Sequence, residues 1–451
     1  MRRQRWINLL KLAWPLIIAN SFWNLQMTID RVLLGQYSTD ALGAAMAVFG
    51  IFWAPMALVQ QTASYVTTFV AQLLGAKREP EIGSSVWQSI YVAIIGGLLF
   101  LLFIPITPKL IDLMGHSAKL KALEIAYFRA MCFAALPTAL VATASGFFTG
   151  LGRSSVILRI NFIGMAANAV LDYAMIFGHF GFPKLGIAGA GYATAIATWI
   201  AALYGLYLVF KTEHQSHYAM HSSWKFNPAL MKRFLKYGLP SGLQWALEGL
   251  AFTVFLVFVG RMADGDAALA ASGIAVTVMM LAILPAFGVA QAVSVRVGQH
   301  LGEDKPEHAE QVSWTGLEIA WLYIFLIAST FWLFPDFYLS WFHNPENQAM
   351  WKQVEVIAPR LLMFVGTFIL FDSMNLVFSL ALKGAGDTRF VSAVALVIPW
   401  PIMVLPTWLM KDLPGAVYWA WAAASLYVIT QALIFWRRFA RGKWKQMRVI
   451  S

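Results

Sequence analysis

Twelve long apolar runs recur along the 451 residues of this chain. A helix rises about 1.5 Å per residue, so about 20 apolar residues are enough to cross the hydrocarbon core of a bilayer. Hydrophobic residues make up 59% and charged residues 12% of the chain, whereas soluble domains average about 45–50% and about 25%. The runs therefore predict an α-helical polytopic membrane protein, and the single Cys132 excludes an intrachain disulfide.

We predict twelve membrane spans, at residues 12–35, 41–74, 86–108, 124–150, 155–177, 186–210, 235–260, 267–300, 314–335, 357–382, 390–410 and 415–436. The second and eighth runs are longer than a span needs, so we expect these helices to tilt or bend. Pro55 and Pro285 lie inside them, and a proline removes a helix hydrogen bond and permits a kink.

The basic residues lie unevenly on the two sides of the predicted helices. An even number of spans places both termini on one side, which holds 23 of the 33 Lys and Arg residues, against 7 on the opposite side. Cytoplasmic loops carry the excess of Lys and Arg, so we expect both termini in the cytoplasm. The same asymmetry accounts for the net charge of +11, and no nucleic-acid partner is expected.

The two halves of the chain repeat one another. The segment LKLAWP at 10–15 returns as LKYGLP at 235–240, and VAQLLG at 70–75 returns as VGQHLG at 297–302. A third match, GLGRS at 150–154 with GAGDT at 384–388, keeps the same order. Six spans per repeat insert both repeats the same way up, which is typical of transporters whose halves are related by an axis along the membrane normal.

The repeat predicts two six-helix bundles related by a pseudo-two-fold axis along the membrane normal. The first bundle comprises residues 1–213, a cytoplasmic connecting loop comprises 214–234, the second bundle comprises 235–438, and a basic cytoplasmic tail comprises 439–451. A duplicated membrane protein without transport activity, such as an assembly scaffold or an integral enzyme, is the alternative.

Four carboxylates interrupt the apolar runs, where a charge costs about 2.5–3.5 kcal/mol on insertion scales. Glu248 and Asp372 lie near mid-depth in the second repeat, and no basic residue lies near them in their own predicted helices. Asp30 and Asp172 share a depth in the outer third of the first repeat. We therefore predict a cation-coupling pair in each repeat, while a structural role for each acid stays open.

Each acid has an amide one helical turn away, at a spacing that shares a helix face; these amides are Gln26, Asn168, Gln244 and Asn375. Two carboxylates in a poorly solvated cavity do not both ionise readily, so one of them can carry a proton. Carboxylate and amide oxygens also suit Na⁺, above all at Glu248 and Asp372. The coupling ion is therefore H⁺ or Na⁺, and no other metal and no cofactor are expected.

Aromatic side chains accompany the second pair of acids. Trp245 and Phe252 lie three and four residues from Glu248, and Phe368 and Phe371 precede Asp372. Rings beside a carboxylate bind a lipophilic cation through apolar area and cation–π attraction. We predict that these four residues line a substrate site.

Short segments along nearly the whole chain together match one transporter family: WPLIIAN at 14–20, Asp30 with Gly35, NAVLDYAMIFG at 168–178, LGIAGA at 185–190, Glu248 after GLP, and Asp372 before KGAGDT. The chain thereby resembles the multidrug and toxic compound extrusion (MATE) family. The resemblance implies export of organic cations in exchange for inward H⁺ or Na⁺, by rocking of two bundles. The pair Glu248 and Asp372 resembles the NorM-like branch, and the pair Asp30 and Asp172 resembles the DinF-like branch.

This interpretation predicts a monomeric transporter without enzymatic activity in the cytoplasmic (inner) membrane of a bacterium. Its partners would be small organic cations and membrane lipid. The alternative function is that of a lipid-linked oligosaccharide flippase from the same superfamily. Such flippases often have fourteen spans and basic cavities, whereas this chain has twelve predicted spans and acidic side chains within them.

Overall fold

The structure, a computed structural model, describes residues 2–112, 114–211, 217–342 and 348–450. Its regular secondary structure in these ranges is helical, without a strand. The helices of the first repeat are α1 (Arg2–Tyr37), α2 (Thr39–Ser64), α3 (Val66–Gly75), α4 (Ile82–Leu101), α5 (Phe103–Asp112), α6 (Ala118–Cys132), α7 (Ala135–Gly150), α8 (Ser154–Phe177) and α9 (Ile187–Val209).

The second repeat contains α10 (Pro228–Gly260), α11 (Gly265–Gly302), α12 (Pro306–Leu333), α13 (Pro335–Leu339), α14 (Gln348–Ala385), α15 (Thr388–Val397), α16 (Leu405–Leu409) and α17 (Ala416–Ala440). A π-helical turn at Trp400–Val404 connects α15 to α16.

Each of the twelve predicted crossings corresponds to one helix or to two consecutive helices in the structure. Among the described residues, 10 helices are long and apolar enough to cross a membrane, with α2–α3 and α15–α16 each counted as one. An eleventh crossing consists of α6 and α7, which meet at a bend of 42°. The twelfth is α1, a helix of 36 residues whose apolar stretch is interrupted by Asn20, Asn24 and Gln26. The prediction of an all-α fold with twelve membrane-spanning helices is confirmed.

Several helices begin well before the predicted spans: α1 begins at Arg2, α10 at Pro228, α12 at Pro306 and α14 at Gln348. Each of these added segments contains charged residues, so a search for apolar runs does not include it, although the helix itself continues outside the predicted span. Proline is favoured in the first turn of a helix because its missing N–H would have no helical partner there.

The interruption of the second span does not lie at its proline. Helix α2 continues through Pro55, and α11 continues through Pro285. The break between α2 and α3 lies at Tyr65, whose N–H donates to Thr62 O (3.3 Å). Close to it, the Thr62 hydroxyl donates to Leu58 O (2.6 Å) and the Thr67 hydroxyl to Ser64 O (2.8 Å). Hydroxyl groups that bond to a preceding carbonyl bend helices.

The outward faces of the helices are apolar. Leu98 and Leu99 of α4 are 50% and 56% exposed, and Phe325 and Leu326 of α12 are each 61% exposed. A water-soluble protein rarely leaves such rows uncovered. These rows are therefore the lipid-facing surface of a multi-pass membrane protein.

The chain forms two compact units that do not follow chain order strictly. Unit 1 contains Met1–Ile17, Leu247–Val297 and Lys305–Met447, and unit 2 contains Ile18–Ala246, Gly298–Asp304 and Arg448–Ser451. The first helix of each repeat, α1 or α10, thus starts in one unit and finishes in the other. The domain boundaries at residues 213 and 235 stay a prediction.

Equivalent pairs of helices pack closely in the two units, each through one glycine. In unit 1 a Cβ at Gly288 of α11 would overlap Ile17 of α1, and in unit 2 a Cβ at Gly242 of α10 would overlap Leu58 O and the Thr62 side chain of α2. Ile17 and Gly242 are 225 positions apart, which is the offset of the sequence repeat. The first helix of each repeat therefore packs against the second helix of the other repeat.

A second pair of equivalent contacts lies inside unit 2. A Cβ at Gly75 would overlap the backbone carbonyl of Gln299, and a Cβ at Gly302 would overlap that of Gln72. Gly302 lies 227 positions after Gly75, and Gln299 lies 227 positions after Gln72, which is the offset of the sequence repeat. The motif VAQLLG and its copy VGQHLG therefore cross each other at their glycines, which explains why the glycine is kept in both.

The segment between the repeats packs against α4. Residues 214–216 of the predicted loop lie outside the described residues. Beyond them, Tyr218 and Met220 are buried, and the Trp87 indole donates to Met220 O (2.7 Å). Burial raises the pKa of the Tyr218 phenol.

Candidate functional site

Within unit 1, a chain of hydrogen bonds connects Glu248 to Asp372. Gln431 Nε2 of α17 donates to Glu248 Oε1 of α10 (3.1 Å). Asn375 Nδ2 of α14 donates to Gln431 Oε1 (3.3 Å), and the Asn375 side chain is also hydrogen-bonded to the Asp372 carboxylate. Three helices thus bring the two predicted acids together through two amides, and the acids interact electrostatically.

The prediction that no basic group accompanies these acids is wrong. Helix α14 extends to Ala385, so Lys383 lies in the same helix as Asp372. Lys383 is only 5% exposed and interacts electrostatically with Glu248. The sequence assignment ended the span at residue 382, and it therefore counted this lysine as a loop residue.

Four aromatic rings lie on the same three helices. Phe252 stacks on Phe255 of α10 (ring centroids 5.6 Å), and Phe255 meets the edge of Trp421 of α17 (6.2 Å). Trp421 in turn stacks with Phe368 of α14 (6.4 Å), and its indole N–H donates to Ser272 Oγ (2.9 Å). We call these rings, Phe252, Phe255, Phe368 and Trp421, the aromatic row. Phe368 and Trp421 are buried, so the row forms a fixed apolar wall.

Within unit 2, Asp30 of α1 and Asp172 of α8 interact electrostatically. Asp172 is fully buried, and neither of its carboxylate oxygens has a hydrogen-bond partner among the described groups. Oδ1 of Asp30 is buried without a partner as well. Tyr127 of α6 interacts electrostatically with both carboxylates. A buried carboxylate without hydrogen bonds is costly when it is ionised, so this pair is suited to take up protons.

The supporting amide of this pair lies beside it on α8. Asn168 is buried, its Nδ2 donates to Thr194 Oγ1 of α9 (3.3 Å), and its Oδ1 has no partner in the described part of the chain. Gln26 lies one turn before Asp30 and is half-buried, but the structure records no hydrogen bond from it to this acid. Arg31 stacks over the Phe49 ring (5.9 Å) and interacts electrostatically with Asp30.

The structure gives the positions of three other predicted residues, and these positions do not define a role for them. Gln244 is buried and Trp245 is half-buried on α10, both in the part of the helix that belongs to unit 2. Phe371 is half-buried on α14, and no ring contact of it is recorded within the described ranges. The roles proposed for these residues stay predictions.

The sequence analysis missed several polar partners, namely Tyr127, Thr194, Lys383, Tyr427 and Gln431. Gln431 interrupts the apolar segment VITQALIF of α17, and a single amide in such a segment was a usable signal. Tyr427, one turn earlier, is hydrogen-bonded to Gln431 and interacts electrostatically with Glu248 and Asp372. The others could not be separated from ordinary packing residues without the fold.

The site of unit 1 offers oxygen ligands that a hard monovalent cation accepts. Two carboxylates and the amide oxygens of Gln431 and Asn375 belong to one network. The described residues contain no group of three or more His, Cys, Asp or Glu side chains that could hold a metal ion. Such oxygen donors suit Na⁺, and a carboxylate can also take up a proton.

Comparisons with known proteins identify relatives in sequence and in fold. The chain is 28% identical over 393 residues to a protein named "Probable multidrug resistance protein NorM" from Xylella fastidiosa, covering 87% of this chain and 82% of that protein. It is 24% identical over 449 residues to a protein of the same name from Thermotoga maritima, covering 98% and 94%. A solved outward-facing MATE family transporter shares the fold, with a TM-score of 0.88 at 19% identity over 98% of this chain and 97% of that one.

The MatE family profile matches residues 15–174 and 240–409, one match in each repeat. The two matches together cover well over half of the chain, and they contain all four predicted acids. The chain therefore belongs to the MatE family of transporters.

Proposed function

We propose that the protein is a secondary active transporter that exports organic cations in exchange for an inward flow of H⁺ or Na⁺. The observation that carries this proposal is the network from Glu248 through Gln431 and Asn375 to Asp372, with the aromatic row on the same helices. The names of the relatives, multidrug resistance proteins, support the same class of activity.

The coupling follows from competition for the same negative charges. An ionised carboxylate attracts a cationic drug, and a proton or Na⁺ at that carboxylate removes the attraction. The ion can change the affinity of the protein for cargo only to the extent that it binds the cargo-free and the cargo-bound transporter with different affinity. Inward movement of the ion down its gradient therefore drives release of the cargo.

Phe252, the half-buried member of the aromatic row, supplies ring surface for the apolar part of the binding energy, and the buried rings of Phe255, Phe368 and Trp421 hold it in place. Burial of about 100 Å² of a ring system contributes roughly 2.5 kcal/mol at about 25 cal/mol per Å². A cation over a ring face adds about 0.5–2 kcal/mol. This combination selects cations by charge and tolerates different ring shapes, which suits a multidrug substrate range.

The orientation belongs to the same proposal. The excess of Lys and Arg on one side supports an orientation with both termini in the cytoplasm of a bacterium and the protein in its inner membrane. In this orientation the aromatic row lies toward the outer side of the acids in α10 and α14. The protein works as a monomer, since each unit holds its own acid pair.

The test is ethidium efflux from vesicles that contain the purified protein, with a proton gradient and a sodium gradient imposed separately. We expect efflux with at least one of the two gradients and its loss when an ionophore collapses that gradient. Efflux that neither gradient drives would contradict ion coupling, and transport of lipid-linked sugars instead of ethidium would favour the flippase.

A further inference from the structure

A buried acid outside the two acid pairs lies at the outer end of α6. Glu124 is fully buried, and its Oε1 is 2.6 Å from Nδ1 of His116 in the preceding loop. Its second oxygen, Oε2, is buried without a hydrogen-bond partner among the described residues. The His116 side chain remains 34% exposed. The pair therefore joins the surface to a carboxylate that water does not reach.

The position of Glu124 on its helix points toward the acids of unit 2. Tyr127 lies one turn further along α6, and residues three apart share a helix face. Tyr127 is buried and interacts electrostatically with Asp30 and Asp172. Tyr127 thus lies on the same face of α6 as Glu124 and relates the His116–Glu124 pair to the two aspartates.

Other charged groups around α6 are engaged elsewhere. On the neighbouring α2, Asp40 pairs with Lys119, and on α5, Asp112 pairs with Lys121. Arg129 Nε donates to Ile104 O (3.3 Å). The remaining titratable groups at the outer ends of the packed helices are Lys109 of α5 and Tyr192 of α9. In the described part of the chain, His116 is the group within ion-pair distance of Glu124.

We propose that His116 and Glu124 form a proton relay that delivers protons from the outer solution to Asp30 and Asp172. Histidine titrates near neutral pH and transfers protons through its two ring nitrogens. A proton taken up at Nε2 releases the Nδ1 proton to Oε1 of Glu124, which leaves a neutral imidazole protonated at Nε2 and a neutral carboxylic acid. A flip of the partly exposed ring then turns Nε2–H toward Glu124 and the free Nδ1 toward the outer solution, so that the next proton can be taken up. The acid then gives its proton inward and returns to the carboxylate, so that one proton moves in per cycle.

This inference rests on the proposed function, with protons as a coupling ion at the pair Asp30 and Asp172. The relay affects how fast a proton arrives, and it does not alter the affinity of the destination. Loss of the relay should therefore slow proton-driven transport most when the outer solution is neutral or alkaline, because protons are then scarce. An acidic outer solution supplies protons directly and compensates for the loss.

The test is proton-driven ethidium efflux from vesicles, measured as a function of outer pH between about pH 5 and pH 8, the range in which histidine titrates. The variant Glu124→Gln keeps the size and hydrogen bonding of the side chain but cannot carry a proton. We expect a loss of rate of about ten-fold at the alkaline end and less than about two-fold at the acidic end. His116→Gln should shift the profile in the same direction.

The matched control is Lys119→Gln, which removes an exposed charge from the same outer end of α6 and should keep the profile of the unmodified protein. Thermal unfolding of each variant shows whether the substitution lowers the stability of the protein. A structural role of these residues, unlike a relay, would lower the transport rate equally at every pH. If Glu124→Gln has an unchanged profile, or a deficit equal at every pH, the relay is wrong while proton-coupled export stands. If the unmodified protein shows no proton-driven efflux, proton coupling fails and the relay is overturned with it.

Discussion

Replacement of Glu248 by Gln, or of Asp372 by Asn, is expected to reduce gradient-driven efflux at least about a hundred-fold. The carboxylate is the group that both the coupling ion and the cationic cargo require. A hydrogen bond to a charged group is worth about 1.5–3 kcal/mol, and about 1.4 kcal/mol corresponds to a ten-fold change in rate. The hydrogen-bonded chain through Gln431 and Asn375 accepts an amide at either end, so the fold should persist.

Efflux of ethidium from vesicles, normalised to the amount of inserted protein, measures this effect. Asp412→Asn provides the control, because Asp412 is an exposed acid whose contact is a surface pair with Lys411. Glu248→Asp should retain partial activity, since aspartate keeps the negative charge on a shorter side chain. Normal efflux from both Glu248→Gln and Asp372→Asn would remove these two residues from the coupling site.

The second large effect is expected at Asp172. In unit 2 two carboxylates interact within a buried site, and Asp172 has no hydrogen bond to stabilise its charge. A rise in pH ionises both groups and makes them repel each other, whereas a fall in pH returns a proton and relieves the repulsion. Transport that depends on this protonation should therefore accelerate as the outer pH falls.

Asp172→Asn removes that repulsion at every pH, and its efflux should become nearly independent of outer pH. A one-proton step changes up to about ten-fold per pH unit, so the unmodified protein and the variant should differ clearly over two units. Asp30→Asn should flatten the pH profile of efflux less than Asp172→Asn does, because Arg31 already offsets part of the Asp30 charge. Unchanged pH profiles of both variants would assign these acids a structural role.

The fold could be predicted from the sequence to a large extent, and the limits have physical reasons. Long apolar runs determine where helices cross the membrane, so all twelve crossings were found. The first residues of α10, α12 and α14 were placed too late in the chain, because charged residues such as Lys232 and Arg233 of α10 interrupt the apolar signal there. The break at Tyr65 depends on the neighbouring threonine hydroxyls, which a search for proline does not detect.

The candidate sites were predictable only in part. Charge in an apolar run identified Glu248, Asp372, Asp30 and Asp172, since burial of charge is costly in any sequence context. Their partners come from other helices: Gln431 lies 183 positions from Glu248. Such pairs depend on how the helices pack, and local sequence spacing does not contain that information.

The central claim is that ion and cargo exclude each other at the acids, and equilibrium binding measures this directly. A fluorescent cationic dye is bound to the purified protein in detergent and then titrated with Na⁺ at constant ionic strength, and separately with acid. We predict that at least one of these displaces the dye, and that a neutral analogue of equal size binds weakly and is not displaced. Equal binding of the neutral analogue, together with no displacement by either Na⁺ or acid, would contradict the antiport mechanism.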